Sequence, residues 1–266
     1  MKKICVDAHT HLGNGGAIIA CVSDLLSSMD AASITHACVF AGEINHMSVE
    51  TLLEIVRPHT DRLFPIASIS PLTSLPDVAV FKNMLANKLV YGLKLYLGYE
   101  YFYPCDERLF PYYQLLSDTG HPAIFHTGDT YSEVGCAKLK YAHPLHIDDL
   151  AVEFPNLKIV IAHMGYPWQI DAGQVCYKNK NVFVDISGLT YGSFSEKGER
   201  HFQEIVQTFL QVSDRPDAMM YGSDWPIATP ASYLATVERI IPPEHLADVA
   251  WKTATRVFGL PISLDT

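Results

Sequence analysis

Apolar residues in this chain gather into short unbroken runs, separated by longer stretches in which they recur every three or four positions. The runs are rich in β-branched residues, the pattern of parallel strands buried on both faces. Eight can be traced: Ile4–Val6, His36–Phe40, Leu63–Ile69, Val90–Leu97, Ala123–Phe125, Leu157–Ala162, Val182–Ile186 and Ala218–Tyr221. The stretches between them have helical spacing. Leu52, Leu53 and Val56 form one apolar face, and Leu109, Tyr112, Tyr113 and Leu116 form another that Gly120 closes. Phe202, Ile205, Val206, Phe209 and Leu210 make a continuous stripe on a third. Strand–helix alternation repeated eight times predicts a closed (β/α)8 barrel of the TIM type. An open doubly wound sheet is the competing arrangement, but no Gly-x-Gly-x-x-Gly turn follows any strand. With no low-complexity linker or second-domain boundary, residues 1–266 are read as one domain.

Polar residues able to carry chemistry concentrate where these strands end, the face on which barrels of this kind build their active sites. The first strand runs into Asp7-Ala8-His9-Thr10-His11 and the fourth contains Gly92-Leu93-Lys94-Leu95-Tyr96. The fifth ends in His126-Thr127-Gly128, the sixth in His163-Met164-Gly165 and the eighth in Gly222-Ser223-Asp224-Trp225-Pro226, while the seventh carries Asp185. Residues i and i+2 of a strand share a face, so His9 and His11 are both expected to point toward the barrel axis. Two imidazoles on adjacent tiers can grip one cation, with a third histidine and a carboxylate supplied from across the barrel. His126 and Asp224 are the candidates for those places. A lysine between Leu93 and Leu95 is costly to bury without a partner, so Lys94 is expected to pair with a carboxylate, to bind an anionic substrate group, or to be carbamylated between two metals. Tyr96, Tyr99, Tyr101 and Tyr103 follow the fourth strand closely and could line a pocket, form a lid or pack as a rim loop. The Gly13–Gly16 and Gly188–Arg200 loops are expected to shape the pocket.

Composition narrows the picture further. The 48% hydrophobic content and mean hydropathy of +0.10 supply one large core, and 18% charged residues is too few for a disordered chain. A formal charge of −10 argues against a nucleic-acid partner. The six cysteines form no Cys-x-x-Cys pair and several lie in apolar runs, as expected of free thiols in a reducing compartment. The N-terminal apolar run is too short for a signal peptide and no stretch is long enough to span a membrane, so the reading is cytoplasmic. A homo-oligomer is compatible with all of this.

Taken in order along essentially the whole chain, these motifs resemble the amidohydrolase superfamily. The similarity is to its amidohydrolase-related group of metal-dependent hydrolases and non-oxidative decarboxylases. The resemblance implies that His9, His11, His126 and Asp224 ligate a divalent metal and that His163 stands beside it as a catalytic group. Many relatives carry an added β-sandwich built from both termini; here the metal motif begins at residue 7, so none is expected. One Zn2+ is the preferred cofactor, with Mn2+, Fe2+ or Co2+ as substitutes and a second metal only if Lys94 is carbamylated.

The expected activity is hydrolysis of an ester, lactone or amide bond of a small, carboxylated molecule by a metal-activated water. Asp224 and His163 are the expected catalytic pair, and Lys94, Tyr96 and Trp225 are expected to contact substrate. The alternative is decarboxylation of an aromatic or unsaturated acid at the same metal. A metal-dependent DNase on a similar barrel fits less well, because those enzymes usually carry glutamate where this chain has Lys94, and the acidic charge is unfavourable.

Overall fold

The structure, a computed structural model, describes residues 4–15, 18–42, 46–73, 75–131 and 134–262. Eight strands pair in parallel and in chain order: β1 (Val6–His11), β2 (His36–Phe40), β3 (Leu63–Ser68), β4 (Leu93–Leu95), β5 (Pro122–Phe125), β6 (Lys158–Ile161), β7 (Val182–Asp185) and β8 (Met219–Met220). Each predicted run contains or overlaps one of them. Closure comes from residues just after β8, which hydrogen-bond to β1. The Ala8 N–H donates to the Tyr221 carbonyl (2.9 Å), the Asp224 N–H to that of His9 (2.9 Å) and the His11 N–H to that of Trp225 (2.8 Å).

A helix follows each strand: α1 (Val22–Ala31), α2 (Val49–Val56), α3 (Val78–Ala86), α4 (Phe110–Thr119), α5 (His146–Glu153), α6 (Gln169–Lys178), α7 (Glu196–Ser213) and α8 (Pro230–Ile240). Local chemistry sets their ends. Gly120 terminates α4 in the left-handed region at φ 70°, which a residue without Cβ adopts at little cost. Ser195 caps α7 by accepting the Gly198 N–H at 3.1 Å. The expected loop Gly188–Arg200 therefore stops at Ser195, because its last residues are already helical. In α7 the Phe202, Ile205, Val206 and Phe209 positions of the stripe are buried against the barrel, while Leu210 is half-buried. Gly13–Gly15 is likewise not a loop: it pairs antiparallel with Ile18–Ala20 in a short hairpin, and Gly16 lies outside the described residues.

Two hydrophobic layers result. Alternate strand residues such as Ala37, Val39, Leu93 and Leu95 face the helices. The others fill the barrel, where Val6, Ala8, Cys38, Phe40, Phe64, Ile66, Ile124, Val160, Phe183 and Met220 pack with Val257 and Phe258 of the C-terminal helix α10 (Thr253–Phe258; the short α9 is Pro243–Ala247). The alternation slips once. Asp7 pairs with Ala37 and Thr10 with Val39, so Ala8 and His9 together oppose Cys38 in a β-bulge. A bulge rephases the strand beyond it. Ala8 joins the interior cluster, and the next residue, His9, also turns inward, its ring 4.4 Å from that of Phe40. Among the described residues no helix is long and apolar enough to cross a membrane.

Candidate metal centre and active site

The strands' C-terminal ends surround a cavity of about 250 Å³. His9, His11, Lys94, Tyr96, His126, His163 and Asp224 all line it, which brings together seven of the eight residues expected to ligate metal, act in catalysis or contact substrate. On its floor three ligand atoms converge. His9 Nε2 and His11 Nε2 lie 3.2 Å apart, and Asp224 Oδ1 lies 3.2 Å from His11 Nε2 and 3.6 Å from His9 Nε2. Asp224 Oδ1 is buried and has no hydrogen-bond partner among the described residues. An orphaned carboxylate oxygen facing two imidazole nitrogens is an unfavourable arrangement on its own, and one that a divalent cation satisfies. Bonds of about 2.0–2.2 Å to nitrogen and oxygen would suit a triangle of this size.

The fold enforces the arrangement. His9 and His11 share a face beyond the bulge. Asp224 adopts φ 64°, uncommon for a residue with a side chain, and its own N–H is tied to His9. Gly222 is required beside them, since a Cβ there would sit 2.9 Å from His9 Cβ. Behind the triangle, Asp185 Oδ2 accepts a hydrogen bond from His9 Nδ1 at 2.9 Å. That leaves the lone pair of His9 on Nε2, toward the site.

Burial, then the charge on Lys94, push His9 down to about 3, so its imidazole is neutral and available as a ligand. Burial opposes ionisation of Asp224, but the imidazoles of His11, His163 and His9 outweigh it and hold the carboxyl below its ordinary range. Lys94 has no exposed surface. Its Nζ lies 3.4 Å from His9 Nε2, 4.8 Å from the Phe40 ring centre and 5.4 Å from that of Tyr96. Burial lowers it to about 8, opposed by the charges of Asp185 and Asp224. The neighbours found for this lysine are therefore the His9 imidazole and two aromatic faces, with the charges of Asp185 and Asp224 acting on it through space.

His126 lies in the same cavity, its ring 5.0 Å from that of His163, but it does not join the triangle. Its Nε2 donates instead to the Asp129 carbonyl at 2.9 Å. Trp225 is the residue not brought to the cavity: it packs in the helix-facing layer, and its contribution is the backbone carbonyl that closes the barrel. Tyr96 and Tyr99 line the cavity, whereas Tyr101 and Tyr103 are exposed, Tyr101 stacked on Tyr141 and Tyr103 tilted against it. Of the two expected pocket loops, Gly188–Tyr191 forms a wall, whereas among the described residues neither Gly13–Gly15 nor Ile18–Ala20 lines the cavity. Sequence reasoning missed Asp129, Thr130, Tyr131 and Tyr166 on the walls. The aromatic residues after strands five and six were the available signal.

The sequence matches the amidohydrolase family over residues 6–260, and the chain belongs to that family. No curated protein sequence matches it. Solved structures share the TIM-barrel fold at low identity. A probable 2-pyrone-4,6-dicarboxylic acid hydrolase from Acinetobacter baumannii with citric acid bound is 16% identical, with a TM-score of 0.75 over 98% of this chain and 100% of that one. A 2,6-dihydroxybenzoate decarboxylase from Rhizobium is 16% identical, with a TM-score of 0.68 over 97% and 98%. An amidohydrolase from Burkholderia multivorans with bound zinc is 15% identical, with a TM-score of 0.67 over 97% and 100%.

Proposed function

We propose that this chain is a metal-dependent hydrolase that opens an ester, lactone or amide bond in a small carboxylated molecule. The observation that carries the reading is the buried triangle of His9, His11 and Asp224 on a cavity floor, with His163 beside it. His9, His11 and Asp224 would hold one cation, and His126 would complete the set by turning from the Asp129 carbonyl. Nitrogen-rich ligation with one carboxylate favours zinc over manganese, iron or cobalt. When bound, the cation supplies Lewis acidity and lowers the pKa of water at the site. Asp224 takes the proton released as water attacks and passes it to the leaving group. His163 accepts a proton on Nε2 in the cavity and, so charged, hydrogen-bonds the substrate carbonyl oxygen as negative charge builds there. Lys94 is the single lysine or arginine among the described lining residues, and it would anchor the substrate carboxylate.

Decarboxylation is the second reading, and the tyrosine walls favour it. Tyr99 lies over His126 at 4.7 Å, and Tyr131 meets Tyr191 at 5.9 Å from the loop after β7. Such walls suit a flat ring, and 2,6-dihydroxybenzoate, the compound for which the Rhizobium protein is named, is one. His163 would then protonate the carbon that loses CO2.

Elemental analysis followed by a panel of lactones, aryl esters and hydroxybenzoates tests both readings. Close to one metal per chain with C–O or C–N cleavage supports the first, and CO2 release without such cleavage replaces it with the second. A protein that binds no metal and gains no activity with zinc or manganese overturns both. Replacing His126 by alanine is expected to lower metal content and turnover together.

A further inference from the structure

We infer that Asp185 and Ser187 are positioning residues that place the imidazole protons of His9 and His163 as one unit. This rests on the reading that His9 ligates metal and His163 meets substrate. The two oxygens of one carboxylate serve the two rings separately. Asp185 Oδ2 accepts from His9 Nδ1 at 2.9 Å. Asp185 Oδ1 accepts the Ser187 hydroxyl at 2.5 Å, the Ser187 N–H at 3.1 Å and the His163 N–H at 3.0 Å. A hydroxyl has one proton, and here the carboxylate takes it. Ser187 Oγ, 2.9 Å from His163 Nδ1, must therefore act as acceptor toward that ring. The Ser187 carbonyl, 3.3 Å from the same nitrogen, can only accept as well. Both rings thus carry hydrogen on Nδ1, which frees Nε2 of His9 for a cation and Nε2 of His163 for the cavity.

Three further features show that the arrangement is built rather than incidental. Asp185, Ser187 and His9 have at most 1% exposure, so no solvent proton competes. His163 and Met164 take left-handed backbone angles, φ 56° and 53°, that side chains disfavour. The residue after Ser187 must be glycine, because a Cβ at Gly188 would lie 2.6 Å from His163 Nδ1 and 3.0 Å from Asp224 Oδ2.

The test compares zinc-loaded wild type with Ser187→Ala and Asp185→Asn in protein carrying 15N-labelled histidine. His163→Gln identifies the His163 signals, and circular dichroism confirms folding. Wild type should show His163 Nδ1 protonated and Nε2 unprotonated. Ser187→Ala should mix the two tautomers of His163, lower kcat about tenfold at unchanged KM, and leave zinc content and the His9 signals as they were. Asp185→Asn should disturb both rings and weaken zinc binding about 10- to 100-fold. If Ser187→Ala leaves the His163 nitrogens and kcat unchanged, or strips zinc as well, the inference is overturned; this arm decides even if Asp185→Asn does not fold. A wild type that binds no zinc but shows the stated His163 tautomer would sink the metal-enzyme reading while supporting the serine link.

Discussion

The two halves of the barrel interior are almost equally buried and chemically opposite. Toward the strand starts the filling is Val6, Cys38, Phe64, Ile66, Val160, Phe183 and Met220, all apolar. One tier higher, at and just beyond the strand ends, stand His9, His11, Lys94, His163, Asp185 and Asp224, each at most 7% exposed. The lower half gains from every methylene removed from water. The upper half carries desolvated charge that only mutual pairing makes tolerable. Function has been built on stability generated next to it, and the bulge in β1 marks the boundary between the two regimes.

Substitutions can break this comparison from either side. The largest expected effect is Phe64→Ala in the lower half, which should cost about 3–5 kcal/mol in denaturant unfolding while metal stoichiometry is retained. A loss of metal alongside that destabilisation would show that the halves are not separable. Next, His163→Asn in the upper half should cut turnover by about 10²-fold or more with metal still bound and unfolding little changed. Full activity in that variant would remove His163 from the chemistry. Lys94→Met exchanges a buried charge for an apolar chain of similar length; stability should hold or rise by about 1 kcal/mol. The KM for a carboxylated substrate should meanwhile rise about tenfold. A clear loss of stability would mean that the lysine supports the fold rather than the substrate.

The smallest effect concerns pH. Asp217, just before β8, is held below its ordinary pKa by hydrogen bonds from Arg215, assisted by the charges of Arg215 and Arg256. A lowered carboxyl stabilises the fold above the unfolded pKa of 3.8, and this contribution disappears as pH falls through the folded value. Asp217 is half exposed, so Asp217→Asn should remove no more than about 0.5 kcal/mol at pH 7 and less at pH 2. Unfolding curves at the two pH values would show it.

The barrel was legible in the sequence because its strands are continuous apolar runs and its helices keep a 3.6-residue period. The His-x-His pair was legible because strand geometry alone puts both rings on one face. What local pattern cannot convey is pairing partner and loop path. The β1 bulge depends on β2, so the inward turn of both Ala8 and His9 was not visible. Asp185 was noticed on its strand, but its tie to His9 spans 176 residues. Trp225 was misjudged because a strand-end aromatic looks like a pocket wall until the pairing of its backbone with β1 is known. The tyrosines of the walls belong to loops, whose course the sequence does not specify.

One feature of closure reaches beyond catalysis. The turn that carries Asp224 is also the seam of the barrel, where Ser223 N–H meets Asp7 Oδ1 across 216 residues of chain. A cation shared by His9, His11 and Asp224 would then act as a rivet joining the first strand to the last. It would restrict the unfolded polymer far more than a contact between neighbours. Demetallation should accordingly loosen the molecule along one line, with β1 amides exchanging hydrogen faster while those of β5 and β6 stay protected.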